Sequence, residues 1–265
     1  MNYLTFDIED WFHLLDVEYL ENPLEWDTYE SRIEAPTYRI LNLLDKYETK
    51  AIFFVLGWVA DKYPELINSI HKRGHLIGSH GYHHRLVYKM TEEEFELDLI
   101  RSLDSIANVT GVYPRLFRAP GFSIGQKQQW AFDILIRNGI ILDASVFSPS
   151  RSHGGFGLKH NSKFYINRNK GSLVELPMSF VDLGLFKLVL HGGGYFRLFP
   201  YWLLNFLWRK KYNMIYLHPR DFDPNQQVLP DLGKFRTFKT YVGLSNTEGK
   251  LEKLLISKEF TIPKL

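Results

Sequence analysis

The sequence predicts an α/β protein built as a parallel (β/α) barrel, with a doubly wound sheet as the alternative that periodicity alone leaves open, and three observations lead to this prediction. Short β-rich runs alternate with helical segments along the chain. The 265 residues are 45% hydrophobic, which is enough to bury the core of a one-domain barrel. No linker, repeat or low-complexity segment interrupts the sequence. We therefore expect a single domain over residues 1–265.

The alternation is clearest in the first half of the chain. A short apolar strand opens the sequence, and a β-branched and aromatic run over residues 50–57 predicts the second strand. Helices are expected over residues 36–47 and 64–73, and the second begins at a proline and stops at Gly74. Proline suits the first turn of a helix and glycine suits the position after its end, so this helix has a defined start and stop.

A capping box marks the start of the next helix. Thr91 and Glu94 are spaced so that each side chain can bond the backbone amide of the other residue. The helix is expected to run to about Asn108, with Gly111 past its end. Further short strands are predicted at residues 75–78, 116–118, 139–143, 173–176 and 213–217.

Two groups of metal-binding side chains lie at the ends of predicted strands. His80 and His84 are four residues apart, so a helical turn there would bring both imidazoles to one face, which is a common way to hold zinc. The first strand ends in Asp7, Glu9 and Asp10. Such a run of like charges is costly unless a cation or hydrogen-bond donors neutralise it. Because barrel chemistry gathers where parallel strands end, the two groups are expected to meet.

Two further strand ends deliver polar groups to the same edge. Arg118 stands beside Pro120 and Gly121, where the backbone is forced into an open turn with available amides. The β-rich run over residues 214–217 is followed directly by His218. Four separate strand ends therefore point to one site.

Taken in order, these motifs resemble the polysaccharide deacetylase superfamily, also called the NodB-homology or carbohydrate esterase family 4 superfamily. The opening and the segments over residues 194–197 and 218–224 further resemble a branch associated with bacterial exopolysaccharide and surface-glycan biosynthesis. The resemblance implies the distorted, incompletely closed parallel (β/α) barrel of the NodB-homology type. The matching motifs are Thr5-Phe6-Asp7, His80 to His84, Arg118-Ala119-Pro120, Asp143-Ala144-Ser145 and Leu217-His218-Pro219.

The resemblance also implies an activity, the metal-dependent removal of an N-acetyl group from an amino sugar. Amide hydrolysis needs an activated water, a polarised carbonyl and an acid for the leaving amine. By resemblance, Asp7 would be the general base and His218 the general acid. Arg118 would orient Asp7, and Asp143 would keep His218 protonated by charge proximity.

The metal ligands implied by the family are His80, His84 and one carboxylate of the first motif. Most relatives carry two adjacent aspartates there, whereas Asp7 is followed at a distance by Glu9 and Asp10. Alternate residues of a strand share a face, which favours Glu9, and Asp10 stays open as a ligand. Zinc is the expected metal, with cobalt, nickel and manganese as alternatives.

Side chains beside the motifs are candidates for substrate contacts, although core packing is an equal alternative for the large aromatic ones. Phe122 stands where many relatives have tyrosine, and a backbone amide near Gly121 is a candidate to bind the oxyanion. The expected contacts are Trp11, Tyr82, Pro120, Gly121 and Phe122.

An aromatic segment over residues 195–211 has two interpretations. Arg197 and Pro200 interrupt it, and it is too short to span a bilayer. It is either a buried barrel helix, which we favour, or an interfacial patch that meets a lipid-linked substrate.

The composition limits the classes of partner and ligand that we expect. The formal net charge of +2 and the pI of about 8.5 give no indication of a nucleic-acid partner. The absence of cysteine excludes disulfides and thiolate ligands. The sequence begins directly with the first strand, so we expect a cytoplasmic protein, working at the inner face of the membrane.

The expected substrate is an N-acetylated sugar or glycan, either nucleotide- or lipid-linked, with peripheral membrane contact as part of that expectation. Two alternatives stay open. One is hydrolysis of a small non-sugar amide or ureide, and the other is a catalytically silent glycan-binding module on the same fold.

Overall fold

The structure of the protein is a computed structural model, which describes residues 1–147, 156, 158, 162–182, 184, 187–189, 191–209, 211–230 and 232–264. Within these ranges the strands are β1 (Asn2–Ile8), β2 (Ile52–Val55), β3 (Leu76–Ser79), β4 (Leu116–Phe117), β5 (Leu142–Asp143), β6 (Phe164–Arg168), β7 (Gly171–Glu175), β8 (Val181–Asp182), β9 (Lys187–Leu188) and β10 (Asn213–Leu217).

The α-helices lie between the strands and after the last one. They are α1 (Glu34–Lys46), α2 (Gly57–Lys62), α3 (Pro64–Lys72), α4 (Glu92–Thr110), α5 (Trp130–Arg137), α6 (Gly193–Leu198), α7 (Tyr201–Phe206), α8 (Lys234–Tyr241) and α9 (Thr247–Ser257). Short 3-10 turns follow several strand ends, including Trp11–His13 after β1 and Pro219–Phe222 after β10.

Eight of the described strands form one sheet in the order β10-β1-β2-β3-β4-β5-β7-β6. All neighbouring pairs are parallel except β6 and β7, which form an antiparallel pair at one edge. The sheet curls into a half-barrel, with β10 and β6 at its two ends. The predicted α/β class, an incompletely closed and mostly parallel barrel, is confirmed.

The register of the parallel strands places the motif residues at one edge. Phe6 of β1 lies opposite Leu217 of β10 and Phe53 of β2. Ser79 at the end of β3 lies opposite Phe117 of β4. The residues that follow these positions in the chain therefore leave the sheet side by side, since neighbouring parallel strands end in register.

The strands are apolar because the central part of the sheet is covered on both sides. Every residue of β2 is buried, and Phe6 and Phe53 stack with ring centroids 5.0 Å apart. On α1, Ile40, Leu41 and Leu44 form a fully buried stripe. Each such side chain stabilises the fold by about 1.5–3 kcal/mol through burial. This core fixes the strand ends that carry the site.

The predicted elements of the first half are confirmed within a few residues. Thr91 Oγ1 accepts a hydrogen bond from the Glu94 amide at 3.2 Å, and Glu94 Oε2 accepts one from the Thr91 amide at 2.8 Å. Gly111 closes the helix with φ of 75°, in the left-handed region that favours glycine. The strand predicted over residues 173–176 overlaps β7, whereas β6 and its antiparallel pairing with β7 were not predicted.

The aromatic segment over residues 195–211 forms two short helices, α6 and α7, with Pro200 between them; Lys210 lies outside the described residues. Leu204 is buried, whereas Trp202 and Phe206 are 67% and 77% exposed. The interpretation as one buried helix is therefore wrong, because proline breaks the helix and only one face packs. Among the helices of the described residues, none is long and apolar enough to cross a membrane.

Candidate active site

The two histidines of the first motif lie on a tight loop after β3. The predicted helical turn is wrong, since His80 and His84 lie outside any helix. Asp98 of α4 holds the loop by accepting hydrogen bonds from the backbone amides of Tyr82 at 2.7 Å and His83 at 3.1 Å. His84 adopts φ of 53°, which is uncommon for a residue with a side chain and indicates a functional constraint. The loop still brings the two imidazole centroids within 5.2 Å.

His80 has a defined tautomer. Its Nδ1 lies 2.7 Å from the carbonyl oxygen of Arg118, so Nδ1 carries the proton and donates this hydrogen bond. Nε2 is then left with its lone pair. Burial lowers the pKa of His80 to about 4, so the ring is neutral at physiological pH. A neutral imidazole oriented by a carbonyl on its other nitrogen has the usual form of a metal ligand.

Glu9 joins the two imidazoles in one buried cluster. Each of Glu9, His80 and His84 offers a ligand atom, and these atoms lie within 4.8 Å of one another. Glu9 Oε2 lies 2.6 Å from His84 Nε2, yet among the described residues it has no hydrogen-bond partner of normal geometry. A buried carboxylate oxygen without such a partner is costly unless a cation compensates it. The donor set of one carboxylate and two imidazoles fits a divalent metal.

Asp10 turns away from this cluster. Its carboxylate caps the 3-10 turn after β1 by accepting from the Trp11 amide at 2.8 Å. It also accepts from the Ser31 hydroxyl at 2.5 Å and from the Arg32 amide at 3.0 Å. Hydrogen bonds to the protein therefore occupy both Asp10 oxygens, and the geometry leaves Glu9 as the carboxylate beside the histidines.

Asp7 forms a fully buried ion pair with Arg118. Arg118 Nη1 donates to Asp7 Oδ1 at 2.6 Å and to Thr5 Oγ1 at 2.8 Å. Its Nε donates to the Ala144 carbonyl at 3.2 Å, so the guanidinium is held at both ends. The other Asp7 oxygen, Oδ2, lies 4.0 Å from His80 Nε2. Asp7 is therefore fixed beside the Glu9, His80 and His84 cluster with one oxygen facing it.

His218 faces the cluster from β10. Its Nε2 lies 3.4 Å from Glu9 Oε1, and its Nδ1 lies 3.0 Å from Asp221 Oδ2. Burial disfavours the charged imidazole, but the carboxylates of Glu9 and Asp221 outweigh it and raise the pKa of His218 to about 9. His218 is therefore a protonated donor near neutral pH.

The expected partner of His218 was Asp143, and the structure corrects this assignment. The carboxylate that contacts His218 is Asp221, three residues along the chain. Asp143 instead accepts hydrogen bonds from the hydroxyl of Ser145 at 2.6 Å and from its amide at 3.1 Å. The register places Asp143 opposite Glu175 of β7 rather than next to β10.

Asp143 and Glu175 form a second, fully buried carboxyl pair. Burial raises the pKa of Asp143, and burial together with the charge of Asp143 raises the pKa of Glu175 well above its usual range. Burial therefore favours the protonated form of Glu175 in particular. The pair supports Ser145, whose hydroxyl accepts a hydrogen bond from the Ala119 amide at 2.8 Å. This positions the turn that follows Arg118.

A cleft of about 620 Å³ opens above Asp7, His218 and the cluster of Glu9, His80 and His84. Gly121 and Phe122 line it, as expected for substrate contacts. Trp11 and Tyr82 are buried in the core instead, where Trp11 donates to the Glu30 carbonyl and Tyr82 to Asp61. The expectation that they stack on sugars is therefore wrong for the described conformation.

Pro120 is also buried and shapes the turn below the cleft. The outer wall of the cleft comes from α8, whose Phe235 is 81% exposed.

Three residues of the site were not among the predicted site residues. Asp98 holds the histidine loop, Asp221 contacts His218, and Arg197 of α6 contacts Asp221. Arg197 and Asp221 lie in the segments 194–197 and 218–224, whose resemblance to a surface-glycan branch assigned them no role. Asp221 also stands three residues after a motif histidine, where a capping box forms. The other contacts join residues that are far apart in the chain.

Comparisons with known proteins agree with this fold. Residues 3–132 match the family model described as polysaccharide deacetylase, and residues 144–264 match a domain of unknown function, DUF3473. Residues 3–132 therefore form a polysaccharide deacetylase domain, as the sequence motifs indicated. The two matched regions interleave in one sheet, because β10 of the second pairs with β1 of the first.

Similar curated proteins are glycan deacetylases. Over 96 residues the chain is 34% identical to a peptidoglycan-N-acetylglucosamine deacetylase of Bacillus cereus, covering 36% of this chain and 35% of the relative. Over 79 residues it is 37% identical to chitin deacetylase 1 of Saccharomyces cerevisiae, covering 29% and 26%. The matched segments thus span between about a quarter and about a third of these relatives.

A solved structure from Mycobacterium smegmatis, assigned to the polysaccharide deacetylases, matches with a TM-score of 0.62 at 18% identity and covers 100% of this chain and 93% of that one. A mutant of a carbohydrate esterase family 4 pseudoenzyme matches with a TM-score of 0.52 at 15% identity, covering 98% and 64%. At these identities the likeness shows the fold.

Proposed function

We propose that this protein is a metal-dependent hydrolase that removes the N-acetyl group from an amino sugar during bacterial surface-polysaccharide biosynthesis. The observation that carries the proposal is the convergence of an Arg118-bound Asp7 and an Asp221-bound His218 on the Glu9, His80 and His84 cluster. These are a base, an acid and a metal-binding group within one cleft. Relatives that act on peptidoglycan and chitin support the acyl-transfer chemistry.

The residues that would hold the metal are Glu9, His80 and His84, and members of the family are generally metal-dependent. When bound, a divalent cation polarises the acyl oxygen and makes water more acidic. Zinc is our first choice because imidazole and carboxylate ligands suit it, and cobalt, nickel or manganese accept the same ligands.

The remaining steps belong to side chains of this chain. Asp7 would take a proton from the attacking water through the carboxylate that Arg118 holds in place. His218 would donate its Nε2 proton to the leaving amine, which cannot depart as an anion near neutral pH. A peptide amide near Gly121 is the proposed additional donor to the oxyanion, since Gly121 lines the cleft.

The proposed substrate is an N-acetylated sugar on a nucleotide or lipid carrier, met at the inner face of the membrane. Exposed aromatic side chains support a membrane contact: Trp202 and Phe206 on α7 and Phe235 at the cleft are 67%, 77% and 81% exposed. Exposed Lys211 and Lys234 would favour anionic lipids. Sedimentation with anionic vesicles tests this contact. Binding that survives serine at both Trp202 and Phe206 would contradict it.

The decisive experiment measures acetate release and bound metal together. Wild type and Asp7→Asn are compared on N-acetylated nucleotide sugars, lipid-linked sugars and oligosaccharides. About one metal per chain and release of acetate that depends on Asp7 are expected.

If the protein binds metal but releases no acetate from any sugar, the substrate would be sought among other amides or ureides. If the protein binds no metal and releases no acetate, the result would favour a catalytically silent glycan-binding module. A pseudoenzyme is among the solved structures of similar fold.

A further inference from the structure

Arg197 is a buried arginine of α6 that lies in the wall of the cleft, 6% exposed. Its Nε lies 2.8 Å from Asp221 Oδ1, as a close ion-pair contact without hydrogen-bond geometry. Its Nη1 donates to the carbonyls of Thr240 at 2.8 Å and Val242 at 2.9 Å, and its Nη2 donates to that of Lys239 at 3.1 Å. One guanidinium therefore binds both Asp221 and the end of α8.

These contacts fix the guanidinium from both sides. The three carbonyls belong to the C-terminal end of α8, where a positive charge is favourable. The backbone of Arg197 is held as well, because Lys250 Nζ donates to its carbonyl at 2.5 Å. Gly243 packs directly against the same carbonyl oxygen. A Cβ at this position would lie only 2.3 Å from that oxygen, so a residue with a side chain would force the two segments apart.

The opposite oxygen of Asp221 holds the catalytic imidazole. Asp221 Oδ2 accepts hydrogen bonds from the His218 amide at 2.8 Å and from His218 Nδ1 at 3.0 Å. Arg197 Nε lies 2.8 Å from the other oxygen, Oδ1, and so restrains the carboxylate from the opposite side. The order of contacts is thus Arg197, Asp221 and then His218.

We infer that Arg197 is a positioning residue for amine protonation, which acts through Asp221 to aim Nε2 of His218 at the leaving nitrogen. This inference rests on the proposed deacetylase function and adds to it the residue that orients its acid. A lysine could replace the charge, but it could not bridge three carbonyls and a carboxylate, because its donors are on one nitrogen. The role therefore depends on the guanidinium shape.

A kinetic test separates positioning from a general structural role. The acid is needed to expel an amine, whereas an aryl acetate ester loses a phenolate that needs no protonation. Arg197→Met and Arg197→Lys are each expected to lower kcat for the sugar amide by about 10- to 100-fold, with KM within about threefold. Hydrolysis of the aryl acetate is expected to change by less than about threefold.

Arg236→Met is the matched control. Arg236 also secures α8 through backbone carbonyls, but it donates to those of Leu15 and Asp16 rather than to the Asp221 carboxylate. Its ratio of amide to ester turnover should equal that of wild type. Equal loss of both activities in Arg197→Met and Arg236→Met would show that Arg197 only holds the helix, and would overturn the inference.

A double-mutant cycle with Asp221→Asn tests whether Arg197 acts on His218 through Asp221. If Arg197 acts through Asp221, the double variant should lose no more than about threefold beyond Asp221→Asn alone. Multiplicative losses would overturn the inference. The lysine variant, which retains the charge beside Asp221, keeps the cycle usable if the methionine variant does not fold.

Proton NMR gives a readout independent of turnover. The His218 Nδ1 proton, identified by its loss in His218→Gln, should be visible in wild type and Arg236→Met and broadened or lost in Arg197→Met. If wild type releases no acetate from any substrate, the proposed function fails, and this signal alone decides the inference. An unchanged signal in Arg197→Met would overturn it.

Discussion

The two sides of the cleft are built differently. On one side, Asp7, His80 and Arg118 leave the central strands β1, β3 and β4, and the pairing of those strands sets their positions. On the other side, His218 leaves the outer strand β10 and is oriented by Asp221 and Arg197. The first arrangement is made by the sheet, and the second by ion pairs between distant segments.

This difference decides which residues of each side can be found from the sequence and how each side responds to substitution. Residues fixed by strand ends appear as short motifs, because the strand and its functional residue are adjacent in sequence. Asp221 and Arg197, which form an ion pair between separate segments, do not directly follow a strand and have no such signature. Burial differs between the two sides as well. No residue of α8, which forms the outer wall of the cleft, is buried, whereas every residue of β2 is.

The largest expected effect comes from the metal-binding cluster. Glu9→Gln should remove bound metal and lower turnover by more than about a thousandfold, because the remaining imidazoles lack the anionic ligand. Asp10→Asn is the matched control one residue away. It should retain metal and most activity, since an asparagine oxygen still caps the turn. Metal content by mass spectrometry distinguishes them, and loss of metal only in Asp10→Asn would reverse the ligand assignment.

The base should have the next largest effect. Asp7→Asn should retain metal and lower kcat by about 10²- to 10⁴-fold, because the amide cannot accept the proton of the attacking water. Single-turnover acetate release alongside metal content makes the measurement. Turnover at the wild-type rate would show that another group is the base.

Acid stability compares buried histidines from the two halves of the chain. Burial lowers the pKa of both His75 and His191 to about 4, against about 6.5 in the unfolded chain. Above pH 6.5 neither state binds the proton, so stability is unaffected there. As pH falls from about 6.5 to about 4, the unfolded chain binds protons that the folded chain does not, and stability falls by up to about 3 kcal/mol per histidine.

Urea denaturation of His75→Phe and His191→Phe across this pH range measures the effect. Each variant should show a shallower loss of stability than wild type between about pH 6.5 and about pH 4. Slopes equal to that of wild type in both variants would show that these imidazoles are not the groups that titrate.

The smallest expected effect concerns the carboxyl pair below the cleft. Asp143→Asn should lower kcat by less than about threefold and stability by about 1 kcal/mol, because Asp143 accepts a hydrogen bond from Ser145 rather than from His218. Asp221→Asn should lower kcat by about 10- to 100-fold, since it contacts the acid directly. A larger loss of turnover in Asp143→Asn than in Asp221→Asn would restore the original assignment of Asp143.

The sequence alone determined the fold class, most elements of the first half and the residues at the strand ends. Asp7, His80, Arg118 and His218 were found because each follows a short apolar run directly, and strand periodicity favoured Glu9 over Asp10. The capping box at Thr91 was equally local.

Tertiary structure alone decided which groups act on those residues. Asp98 shapes the histidine loop from 14 residues after His84, and Arg197 reaches Asp221 from another helix. It also decided that Trp11 and Tyr82 lie in the core, since a motif does not show which way an aromatic ring packs. Spacing along the chain encodes contacts within one strand or turn, whereas contacts between segments depend on how the sheet curls and which helices pack against it.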